Sequence, residues 1–182
     1  MKTRGIFLVT AMAVVMAVAA YSIALAEGNH KFVGVKKCSM CHKSEAKGNQ
    51  HGKWLGTSHA KAYERLASPE AQETAKKAGV SGDPQKEPKC LKCHVTAYGV
   101  DSSLLTESFV QADGVQCEAC HGAGSDYLSL SVMKDTAKSV AAGLIIPTKE
   151  VCVQCHNPES PNYKEFNYEE SLKKVAHPRP KE

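Results

Sequence analysis

The sequence predicts a mainly α-helical chain with extensive loops, whose core is not built chiefly from its own side chains. Three observations lead there. The period-2 alternation of apolar residues that marks a half-buried strand is nearly absent. Several stretches instead carry helix start and stop signals. Beyond residue 26 the chain holds only twelve Val, nine Leu, two Ile and three Phe in 156 residues, about 17%, below the roughly 20% at which a soluble domain struggles to bury a core. The whole-chain figure of 42% hydrophobic conceals this deficit, because much of the apolar sequence precedes Glu27. A length of 182 residues suits one compact domain or two very small ones. The formal charge of +4 is too small and too evenly spread to argue for nucleic acid.

The N-terminus reads as an address. Lys2 and Arg4 precede an uncharged run from Ile6 to Ala26, which closes on Ala24-Leu25-Ala26, the small-x-small pattern cut by signal peptidase. A run of that length could also span a bilayer as a retained anchor. Its Ala-rich composition and terminal cleavage pattern favour removal, so membrane association is expected only if the signal stays uncleaved. No cysteine sits at the cut, which argues against a lipid anchor. The expected organisation is a signal peptide over 1–26 and one domain over 27–182, periplasmic or extracellular.

All eight cysteines fall in four identical frames: Cys38-Ser-Met-Cys41-His42, Cys90-Leu-Lys-Cys93-His94, Cys117-Glu-Ala-Cys120-His121 and Cys152-Val-Gln-Cys155-His156. A disulfide framework, two four-thiolate zinc sites and redox dithiols all use cysteine pairs. None of them needs the histidine, and four chance placements after the second cysteine have a probability of roughly a few in a million. Covalent haem attachment does need it. Two thiols add to the vinyl groups of one haem, and the next residue offers imidazole to the iron. Four frames therefore predict four covalently attached haem c groups, which bring large apolar surfaces that must leave water and supply the missing core.

Four histidines lie outside the frames: His30, His51, His59 and His177. Met1, Met12 and Met16 fall in the signal and Met40 inside the first frame, which leaves Met133 as the sole methionine for a distal position. Bis-histidine ligation and low reduction potentials are expected, since Met/His ligation raises the potential. Ser58 reads as the N-cap of a helix over 58–66, with His59 in its first turn. Ser68-Pro69 opens a second helix running to Gly79. Residues 82–88 read as a linker into the second frame. Residues 125–142 have helical composition ending at Gly143, and Pro147-Thr148 caps a helix carrying the fourth frame. Asn167-Tyr-Glu-Glu170 resembles a capping box opening a helix through Val175, with His177 just past its end. His51 lies in a polar, turn-like stretch, and His30 in the flexible start of the mature chain. Glu118, inside the third frame, reads as a solvated carboxylate.

The stretch Gly114-Val-Gln-Cys-Glu-Ala-Cys-His-Gly-Ala-Gly124, with Trp54 and Ser58-His-Ala-Lys-Ala62, resembles the cytochrome c554 family of tetrahaem proteins. The likeness is expected to cover nearly the whole mature chain. The resemblance implies a mainly helical tetrahaem electron carrier with closely packed, partly stacked haems. It also implies that His59 ligates the third haem and His177 the fourth. The second haem, at His94, is five-coordinate in the ammonia-oxidiser member, where it binds small ligands. The family's distal histidine for the first haem follows the third frame, and none stands between Ser125 and Val140 here. Either His51 or His30 replaces it, or the first haem is open as well.

The function expected is electron transfer between redox partner proteins, without enzymatic turnover. The sequence has no Gly-rich nucleotide loop, Ser-His-Asp set or calcium loop. Two other classes remain: a reductase of small nitrogen oxides at an open haem marked by His94, and a homo-oligomeric or filament-forming conduit in which His30 reaches a neighbour.

Overall fold

The structure, a computed structural model, describes residues 29–179. The expected signal over 1–26 and its junction with Glu27 lie outside the described residues. Among the described residues ten short α-helices follow in chain order: α1 (Val35–His42), α2 (Gln50–Leu55), α3 (Ala62–Arg65), α4 (Pro69–Lys77), α5 (Pro88–His94), α6 (Cys117–His121), α7 (Leu130–Met133), α8 (Thr136–Ala141), α9 (Lys149–Val153) and α10 (Tyr168–Val175). Among the described residues the extended pairing is an isolated parallel bridge between Phe32 and Leu105. The fold is thus helical with extensive loops, as expected, and no described helix is long and apolar enough to cross a membrane.

Local sequence explains the elements that form as expected. The Ser68 hydroxyl accepts the Ala71 N–H at 3.2 Å, and Pro69 occupies the first helical position of α4. The Asn167 side chain accepts the Glu170 N–H at 3.1 Å and opens α10, which ends at Val175. Frames one, two and three ride complete on α1, α5 and α6. In the fourth, α9 carries Cys152 and ends at Val153, before Cys155 and His156.

Three local expectations are corrected. The helix expected over 58–66 starts only at Ala62, capped by Lys61, so His59 sits in the preceding turn. Tertiary contact is the reason. The His59 carbonyl accepts the Val115 N–H at 3.1 Å, which pins the turn to the third frame. The helix expected over 125–142 is two helices, α7 and α8. Asp135 interrupts it by accepting the Lys138 N–H at 3.1 Å and capping α8 anew. The stretch around His51 is helical, because the Asn49 side chain accepts the Gly52 N–H at 2.9 Å and starts α2.

Packing is sparse, as the composition requires. The buried hydrophobic residues are few and mostly small, with Leu66, Leu91 and Val95 clustered beside Tyr63 and Cys90. Helix α3 packs on α5, and α1 packs on both α2 and α6. These contacts gather the first, second and third attachment frames around helices that would otherwise be too short to persist alone.

Candidate functional site

The third frame is held by side chains that solvate backbone. Glu118 is 2% exposed, and its carboxylate accepts three N–H groups: Val33 (2.8 Å), Gly34 (2.8 Å) and Gly124 (2.7 Å). The expectation of a solvated Glu118 is therefore overturned. A buried carboxylate is tolerable only when its oxygens are bonded, and three peptide dipoles do that here. Gln116, 1% exposed, accepts the Val35 N–H at 2.7 Å and donates to the Val110 carbonyl at 2.9 Å. Together they lash the chain entering α1 onto α6. The Cys38 and Cys117 thiols come within hydrogen-bonding reach, so the first and third attachment sites abut.

Burial, and then the neighbouring Cys93 thiol, push Cys155 up to about 12. Cys120 lies near enough to Cys152 and Cys155 to interact with both. None of the eight cysteines is paired in a disulfide. Among the described residues no three His, Cys, Asp or Glu side chains converge as a metal-holding cluster.

The histidines of the frames are oriented for ligation. A ring nitrogen facing a carbonyl oxygen must carry the proton, because the oxygen can only accept. His94 Nδ1 donates to the Ala62 carbonyl at 2.7 Å and His121 Nδ1 to the Ile145 carbonyl at 3.1 Å. His42 Nδ1 donates to Gln50 Oε1 at 3.2 Å. In each, Nε2 is left with its lone pair free, the usual arrangement of a metal-ligating imidazole. His156 is oriented differently, by stacking on Phe166 at 4.8 Å between centroids and 15° between planes.

Two of the spare histidines face a frame histidine. The His59 and His156 rings have centroids 6.0 Å apart, and those of His177 and His121 are 5.8 Å apart. Two imidazoles on opposite sides of one metal, each bonded at about 2.0–2.1 Å, place their centroids roughly 6 Å apart. Both pairs fit an iron between them. Burial holds His59, His121 and His156 below the ordinary histidine range, keeping them neutral, the form that ligates. His59 lies beside the fourth frame's His156 and His177 beside the third frame's His121, whereas the resemblance implied that His59 ligates the third haem and His177 the fourth. Trp54 Nε1 donates to the Val115 carbonyl at 2.8 Å alongside the His59–Val115 bond, while Gly48 and Gln50 receive Pro178, next to His177.

His30 and His51 are placed otherwise. His30 is not loose: its Nδ1 bonds Asp126 at 2.9 Å and its ring lies against Gly143. The His51 ring leans on Trp54 with centroids 5.7 Å apart. Among the described residues no histidine ring is set against His42 or His94 as His59 is against His156.

Sequence reasoning did not single out Gln50, Gln116 or Phe166. Gln116 stands inside the family-like stretch and Phe166 just before a helix cap. Neither signal separates a buried amide or ring from an exposed one, because the partners are distant in sequence.

Haem fits these residues: paired thiols, an imidazole after each pair, and a second imidazole beside it at two of the four. A fold of short helices with thiol pairs and histidines so arranged defines a c-type cytochrome. Residues 37–122, just under half of the chain, match the family described as cytochrome c554 and c-prime. The cytochrome c-554 of Nitrosomonas europaea is 39% identical over 101 residues, which cover 53% of this chain and 40% of that protein. The match therefore spans about two fifths of the length of that curated relative, and it is shorter than the near-complete likeness expected. No solved structure matches the chain.

Proposed function

We propose that the chain is an exported tetrahaem cytochrome that passes electrons between redox partner proteins. One observation carries this reading above the others: the spare imidazole of His59 lies beside the fourth frame's His156 and that of His177 beside the third frame's His121, with ring centroids 6.0 Å and 5.8 Å apart. Bound haem supplies one-electron redox chemistry. The chain's own work is to fix the frames and present imidazoles from both sides at the third and fourth sites.

The opposed His59–His156 and His121–His177 rings support bis-histidine ligation of two irons, and hence low potentials for them. The location follows from the Lys2/Arg4 and Ala24-Leu25-Ala26 signal and from the attachment chemistry, which is completed outside the cytoplasm. The test is direct. The mass of protein exported from a host that attaches haem should equal residues 27–182 plus four haems, and reductive titration should consume four electrons. A smaller haem complement, or uptake of one electron only, overturns the proposal.

A second reading has one observation in its favour. His94 Nδ1 is satisfied by the Ala62 carbonyl, and no histidine ring opposes it among the described residues. An open second site would take small ligands and support reductase chemistry. Nitric oxide binding to the ferrous protein at one haem supports this reading, and its failure to bind excludes it.

A further inference from the structure

We propose that Gln50 is a positioning residue shared by two irons, orienting the proximal imidazole of the first site and anchoring the distal imidazole of the third. This rests on the reading that His42, His121 and His177 ligate haem iron. Gln50 is 7% exposed at the start of α2, and every polar atom of its amide is used. Its Nε2 donates to two carbonyls, Lys47 at 2.7 Å and Pro178 at 2.9 Å. Two acceptors on one side fix the amide, so Oε1 must face His42 Nδ1, at 3.2 Å.

The far arm reaches the distal ligand. Pro178 follows His177, and its carbonyl also lies 3.4 Å from His177 Nδ1. A hydrogen-bonded path thus runs from the His42 imidazole through the Gln50 amide to the Pro178 carbonyl and the His177 imidazole, which faces His121 at 5.8 Å. Gly48 makes the approach possible: a Cβ there would stand 2.8 Å from Pro178 Cγ and 2.9 Å from Gln50 Nε2. Helix α10 ends at Val175, so beyond it Gln50 is the side chain that donates to the segment carrying His177.

The two arms are chemically different, and this makes them separable. Accepting the Nδ1 proton raises the basicity of His42 and favours ferric iron at the first site. Donating to Pro178 holds His177 in place. Gln50→Leu removes both arms, whereas Gln50→Glu keeps an acceptor for His42 and places an oxygen where Pro178 needs a donor.

The experiment uses the haem-loaded full chain, with electron paramagnetic resonance of the ferric form, carbon monoxide binding to the ferrous form, and a spectroelectrochemical titration. Gln50→Leu is expected to convert about one haem in four from low-spin to high-spin, to create one carbon monoxide site, and to raise the potential of a second haem. Gln50→Glu is expected to give the same spin change without that rise. His177→Ala is expected to reproduce the spin change alone. Haem content and helical circular dichroism at the wild-type level show that each variant is folded. If Gln50→Leu keeps the wild-type spectrum and potentials, or if both variants raise the second potential equally, the shared role is overturned. A wild-type protein without bis-histidine signals instead overturns the ligation reading beneath it.

Discussion

The imidazoles of His59 and His156 face each other with centroids 6.0 Å apart, one from a turn pinned by Val115 and the other from the fourth attachment frame. The same relation joins His177 to His121 at 5.8 Å. His59→Ala should therefore abolish one bis-histidine low-spin signal, His177→Ala another, and the double variant both. His30→Ala and His51→Ala should leave these two signals intact. Electron paramagnetic resonance of the ferric protein reads all five variants, and an unchanged spectrum in either of the first two refutes the pairing.

Glu118 and the Val33–Gly34 backbone form the second testable contact. Gln at position 118 can offer one carbonyl oxygen, so at least one N–H would meet an amide donor in a buried place. Hydrogen bonds to a charged group contribute about 1.5–3 kcal/mol each, and an unsatisfied buried donor costs a similar amount. Glu118→Gln is expected to destabilise the haem-loaded protein by about 2–4 kcal/mol, measured by denaturant unfolding. Glu107→Gln, on an exposed loop, should be neutral.

Removal of the cofactor should be more drastic. The buried aliphatic side chains are too few and too small to offset the entropy of ordering a chain of this length. Residues 27–182 produced in the cytoplasm, where haem is not attached, should show no cooperative thermal transition by circular dichroism. A sharp transition in that preparation contradicts the prediction.

The junction of α7 and α8 should respond to acid. The backbone N–H of Lys138, and then its side chain, hold the Asp135 carboxyl below the usual aspartate range. A depressed folded pKa means that the cap stabilises fully above the unfolded value of about 3.9 and is lost as pH falls through the folded one. Amide exchange at Lys138 should accelerate over that interval. Asp135→Asn, which caps without ionising, should lose the pH dependence.

Cofactor chemistry was legible because it is written in adjacent residues. Five consecutive positions specify a haem frame, so the frames of Cys38, Cys90, Cys117 and Cys152 could be read without any fold. The caps at Ser68 and Asn167 were legible for the same reason, since a cap and its N–H partner lie three residues apart. Position 59 was misread where a long-range bond to Val115 outweighed local helix propensity. The range 125–142 was misread where Asp135 found a cap inside an otherwise helical composition.

By itself the sequence determined the frames, the helical character and the shortage of aliphatic core, all of which are local or additive properties of the residues. Tertiary structure alone decided which distal histidine meets which frame, that Glu118 is buried rather than solvated, and that Gln50 joins two sites. Those outcomes depend on which distant backbone groups and rings arrive at the same point. A carboxylate or an amide looks identical in sequence whether water or three peptide N–H groups complete its hydrogen bonds.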